Sequence, residues 1–144
     1  MKKLLMMVVL GSIALVSSMT ASADFVKFYD NPKNGNRVLI NMKSIQHKKG
    51  KNIAWCRKEF GDPVNYKGFS SVELKLQADC KLNKLSVLQT VGYKKQGNIR
   101  TTDANITELL LYPGTPNFMA FKIICGQRTP EQTLKNVMEI QSNR

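Results

Sequence analysis

One histidine, one tryptophan and ten acidic residues among 144 positions leave little from which to assemble an active site. A Ser-His-Asp or Cys-His arrangement has only His47 to run through, and that residue stands in a lysine-rich stretch with no acidic neighbour in sequence. A metal centre is as poorly supplied: one histidine and three cysteines, two of which an oxidising compartment would bridge, make no closed ligand set. The carboxylates are scattered, and no spacing singles out a pair. Neither a GxGxxG run nor a Gly-Lys-Ser/Thr box is present to cradle phosphates. The sequence therefore predicts a binding protein, with no enzyme activity, cofactor or metal.

Apolar runs are short after the first residues. Lys2 and Lys3, an apolar run over residues 4–16 and Ala21-Ser22-Ala23 are the three parts of a secretory signal peptide, in order. Thirteen apolar residues at a 1.5 Å rise span about 20 Å, short of the roughly 30 Å of a hydrocarbon core. Cleavage is expected after Ala23, and no cysteine follows that would carry a lipid. Residues 24–144 are read as one domain, secreted or periplasmic, with no membrane-spanning segment. They hold twice as many basic as acidic residues. In a secreted protein that excess points to anionic glycans, lipid headgroups or acidic protein surfaces, and nucleic acid is not expected.

What the chain does carry is short alternating runs separated by turn formers. Strands are expected over residues 25–30, 37–40, 53–60, 71–80 and 85–94, with 100–105 an edge strand or a loop and 107–112 a further strand. Asn41 is placed to cap a brief turn over 42–45. Trp55 is expected in the core, and residues 61–68 as a flexible hairpin connection. Val72, Leu74, Leu76 and Ala78 alternate with polar residues, so Cys80 shares the buried face of its strand. Leu85, Val87, Val91 and Tyr93 alternate likewise, although Leu88 breaks the pattern.

Two helices follow. Thr115 can cap the first with Pro116 at its first position, and Phe118, Phe121, Ile124 and Cys125 recur at helical spacing, which aims Cys125 inward. Gly126 ends it. Thr129-Pro130-Glu131-Gln132 restarts a helix with capping-box spacing, marked on one side by Leu134, Val137, Met138 and Gln141. Spacing alone leaves all three pairings of Cys56, Cys80 and Cys125 open. Cys56 reads as a buried small hydrophobe, or else as an intermolecular or redox thiol.

One feature stands out for binding. Lys48, Lys49 and Lys51 gather three positive charges on a tight turn around Gly50, suited to sulfate, phosphate or carboxylate groups of a polyanion. A charged tip that merely protects a sheet edge accounts for the same residues. Lys81, Lys84, Lys94 and Lys95 fall at other turns, and the sequence leaves open which of these share a face with the first three.

The ordered set Ile40-Asn41, Ser44-Ile45, Gly50, Trp55, Asp79-Cys80, Pro113-Gly114-Thr115 and Cys125 resembles the surface-adhesin protein E-like domains of Gram-negative bacteria. The match runs from about Val38 to Cys125. Asn41 departs from the family's usual acidic residue, no tryptophan precedes the Pro-Gly turn, Cys56 is extra, and the lipid-anchor cysteine of surface-anchored members is missing. The resemblance implies an α+β fold: an antiparallel sheet of about five to six strands, a C-terminal helix tied to it by a Cys80–Cys125 disulfide, and a short tail helix. It also implies an adhesin-like role in binding host extracellular matrix or plasma proteins. The competing function is a periplasmic housekeeping or stress protein that binds an anionic glycan or lipid and has no host target.

Overall fold

The structure is a computed structural model that describes residues 24–95 and 99–144. The expected signal peptide and the turn signal at 96–98 lie outside the described residues. The alternating runs form β1 (Phe25–Asn31), β2 (Asn36–Lys48), β3 (Lys51–Glu59), β4 (Phe69–Asp79) and β5 (Lys84–Lys94). Two shorter strands, β6 (Ile99–Asp103) and β7 (Thr107–Leu109), both pair with β5. All seven belong to one antiparallel sheet in chain order, with β7 taking the end of β5 that β6 leaves free. The sheet thus has one or two strands more than the five to six that the resemblance implies. Residues 100–103 were ambiguous because an edge strand is solvated and needs no apolar alternation. The strand expected over 107–112 stops at Leu109, leaving Leu110 and Tyr112 exposed.

Both helices start on the residues their caps predict. In α1 (Pro116–Ile124), Thr115 Oγ1 accepts from the Phe118 N–H with proline at the first helical position. In α2 (Pro130–Ser142), the capping box closes from both sides: Gln132 N–H donates to Thr129 Oγ1, and Thr129 N–H donates to Gln132 Oε1. Gly126 takes φ +72°, and the Gln127 N–H reaches the Lys122 carbonyl while that of Gly126 reaches Ile123, a Schellman end that relieves the last carbonyls.

Ala120, Phe121, Ile123 and Ile124 of α1 pack on the sheet face that carries Phe28, Ile40, Ala54, Leu76 and Leu85, and this is the core. The apolar side is therefore rotated slightly from the expected stripe, with Phe118 half-buried. Cys56 lies in this core, 1 % exposed, and burial pushes its thiol pKa up to about 12, which makes it an inert hydrophobe. The tail helix docks beside β1 through Pro130, Thr133 and Val137, and Gln141 Nε2 donates to the Asp30 carbonyl. Met138, expected on that side, is exposed.

Three local expectations are corrected. Trp55 is half-buried on the opposite face of the sheet: its neighbours Ala54 and Cys56 face the core, so the pleat sends it outward, between Asn41 and Lys75. The turn at 42–45 is a bulge inside a longer β2, with Asn41 Oδ1 accepting from the N–H groups of Lys43 and Ser44. There Ser44 Oγ takes the Trp55 N–H that the ladder would otherwise have used. In β5 a register shift beside Leu88 turns Val91 and Tyr93 to the outer face, opposite Glu73 and Ser71. Val91 is buried there, apart from the main core.

The connection at 61–68 is built rather than loose. Asp62 caps a 3₁₀ turn over Pro63–Tyr66, the Tyr66 ring stacks on Phe60 at 3.9 Å, and the Asn36 amide donates to the Tyr66 hydroxyl at 2.6 Å. Gly61 lets the β1–β2 turn approach. A β-carbon there would overlap the Asn34 carbonyl oxygen and come within 2.8 Å of Gly35 Cα. Because the obstacle is backbone, Gly61→Ala is expected to lower stability by about 1–3 kcal/mol. Urea denaturation checks this, and an unchanged midpoint would show that the turn yields freely.

Candidate functional site

The lysine turn is a two-residue hairpin. Lys48 pairs with Lys51, and both central residues have positive φ, Lys49 at 49° and Gly50 at 76°, the signature of a type I′ turn that fits the twist of the strands. Its flanks are tied to the end of α1. His47 Nδ1 donates to Asn52 Oδ1 at 2.6 Å, and Asn52 Nδ2 donates to the Ile124 carbonyl at 3.0 Å, with Cys80 Sγ 3.7 Å away. The only histidine thus holds the asparagine that caps the helix.

Cys80 and Cys125 are bonded, closing a loop of 45 positions, and the disulfide joins the end of β4 to the end of α1 beside this hairpin. The pairing implied by the resemblance is the one formed. Cys80 and Cys125 are each half-buried against the core, and Cys56, on the face α1 covers, is left free.

Lys48, Lys49 and Lys51 are all exposed, and they line an open groove of about 680 Å3 with Ile53 and Gln77. The antiparallel register then decides which other cations join them. Asn52 lies opposite Ala78, and Asp79 opposite Lys84, so the β4–β5 turn, with exposed Lys81 and Lys84, sits at the same end of the sheet. Arg128 follows Cys125 by three residues on the link to α2, and it is exposed as well. Lys94 pairs with Phe69 at the opposite end, which takes Lys94 and Lys95 out of the group. Asp79 stands within the cationic end, its Oδ1 occupied by the N–H groups of Lys81 and Leu82, and Glu108 faces Ser86 on the neighbouring strand. The carbonyl end of α1 carries a partial negative charge and meets Asn52, the residue after Lys51.

Among the described residues no three His, Cys, Asp or Glu side chains come together in a metal-holding group. No helix among them is long and apolar enough to cross a membrane.

The sequence pattern of surface-adhesin protein E matches residues 25–126, which takes in the whole sheet, α1 and the disulfide. The chain belongs to the surface-adhesin protein E family. Solved structures of the family's Haemophilus influenzae protein E share the fold. One crystal form is 19 % identical with a TM-score of 0.52, covering 72 % of this chain and 88 % of that one. Protein E from non-typeable Haemophilus influenzae is 16 % identical with a TM-score of 0.52, over 81 % of this chain and 89 % of that one. No curated protein matches the chain. Identities this low establish the shared fold and leave the binding surface to be argued from this chain's own residues. α2 lies beyond the span matched by the family pattern.

Proposed function

We propose that the protein is exported with cleavage after Ala23, that residues 24–144 form one domain, and that it acts as a non-catalytic, adhesin-like binding protein. Its partner is a polyanion, either an anionic glycan or an acidic stretch of a host extracellular protein, engaged through the cationic end of the sheet. The observation that carries this reading is the convergence of Lys48, Lys49 and Lys51 with Lys81, Lys84 and Arg128 at one end of the fold. A flexible lysine offers a point charge with rotating donors, so several together suit spaced sulfates or carboxylates better than one buried anion.

Heparin affinity at graded salt tests the surface. Alanine at position 49 would confound it, because a positive φ penalises most side chains, whereas asparagine accepts that conformation. Lys48→Gln, Lys49→Asn and Lys51→Gln together are expected to keep the hairpin and weaken binding roughly tenfold or more at low salt, at about 0.5–1 kcal/mol per exposed contact. Added salt should erase most of the difference between variant and parent. Undiminished retention of the variant would rule out this surface. Protease added to intact cells tests the adhesin role: degradation supports it, and complete protection points instead to a periplasmic partner.

A further inference from the structure

The opposite end of the sheet holds a second cavity of different chemistry. A cleft of about 270 Å3 opens between the β1–β2 turn, the end of β3, the 3₁₀ turn and the start of α1. Tyr29, Val38, Phe60, Tyr66 and Pro116 form its walls, and Lys58 reaches into it from the core face of β3, opposite Val38 and Val72. A lysine in that position is unusual, because its strand neighbours on the same face, Ala54 and Cys56, are fully enclosed. Among the described residues no carboxylate pairs with Lys58; the nearby Glu59 is taken by Arg37 at 2.6 Å, so the two cancel at the cleft's edge. Burial lowers the Lys58 pKa, partly offset by the Cys56 thiol.

Several side-chain donors around the cleft have no protein partner among the described residues. The side-chain carbonyl oxygens of Asn31, Asn34 and Asn36 each accept one bond, from the N–H groups of Lys33, Asn36 and Gly61 in turn. Their amide orientations follow from those bonds. Of the three amide nitrogens, only that of Asn36 has a protein partner among the described residues, the Tyr66 hydroxyl. The groups left over are the Asn31 and Asn34 amide N–H groups, the Tyr29 hydroxyl and the Lys58 ammonium, all of which can donate. The positive end of α1 at Pro116 points the same way. The complement of such a cleft is rich in acceptors, carries one negative charge, and has an apolar face for the aromatic wall.

We propose that this cleft is a receptor for one carboxylated sugar residue, with its carboxylate on Lys58, its ring against Tyr29, Phe60 and Tyr66, and its hydroxyls at Asn31 and Asn34. The volume fits a single ring, and donors distributed around the rim match oxygens distributed around a pyranose. This site is separate from the lysine hairpin, which lies at the other end of the strands.

Titrations of the purified protein with glucuronate and with N-acetylneuraminate, followed by amide NMR, test it. Saturable shifts are expected at Tyr29, Asn31, Asn34 and Lys58 with at least one of the two acids and not with glucose. Lys58→Met keeps the aliphatic bulk and removes the charge, so binding should weaken by about tenfold or more. The variant at positions 48, 49 and 51 should titrate like the parent, which separates this site from the polyanion surface. Should Lys58→Met fail to fold, slower acetylation of Lys58 in the unaltered protein when the sugar acid is present, read by mass spectrometry, supplies the same information. Two results would overturn the proposal: no saturable shift with either acid, whether or not N-acetylphenylalanine shifts the same amides, or equal affinity for glucose.

Discussion

Replacing both Cys80 and Cys125 by alanine is expected to lower the unfolding free energy by about 4 kcal/mol, the loop-closure entropy of a 45-position loop in the chain-entropy treatment. Set against a total of about 5–15 kcal/mol for a domain, that is a large fraction. Urea denaturation of the oxidised parent and the double variant measures it. The bridge also holds the end of α1 beside the hairpin, where Asn52 caps Ile124, so its loss should loosen the lysine turn first. Hydrogen exchange should then rise at residues 47–52 before the rest of the sheet. Reshuffling to Cys56 is not expected in single-cysteine variants, because that thiol is buried and resists ionisation. A change below about 1 kcal/mol would mean that α1 is held by packing alone.

Phe121→Ala tests that packing directly. The ring is 2 % exposed on α1 against the sheet core, and truncating a buried phenylalanine removes its transfer energy and leaves a cavity, together about 3–5 kcal/mol. The two changes act on the same helix, so they should not add. With the bridge gone, part of the α1 population is already undocked, and Phe121→Ala should then remove less than it does in the bridged protein. Strict additivity in the double-mutant cycle would show that the disulfide acts only on the unfolded chain.

How much of this was legible varies with distance along the chain. Thr115-Pro116 and the Thr129–Gln132 box announced both helix starts, because a cap is a contact over three residues and its chemistry is local. Val72, Leu74, Leu76 and Ala78 announced β4 for the same reason, since a strand's two faces are written in alternate positions. Trp55 misled because size and hydrophobicity suggest the core, whereas the pleat that buries Ala54 and Cys56 turns it outward. Leu88 had flagged an irregularity in β5, but only the register of β4 against β5 shows that it transfers Val91 to the other face.

The candidate sites divide in the same way. The charges at Lys48, Lys49 and Lys51 and the turn-forming glycine between them can be read from six consecutive letters. Their grouping with Lys81 and Lys84, and the exclusion of Lys94 and Lys95, required the strand pairing. The cleft around Lys58 gave no local signal. A lysine at an inward position looks like any lysine until Tyr29, Asn31 and Asn34 from one segment and Tyr66 from another are brought around it. By itself the sequence determined the α+β class, the helix ends, most strands and the positive charge, all of which follow from neighbours a few residues apart. The cysteine pairing was open from spacing and reached only through the family resemblance, while tertiary structure alone decided which lysines gathered and where a cavity opened, because those depend on register and on contacts between residues remote in the chain.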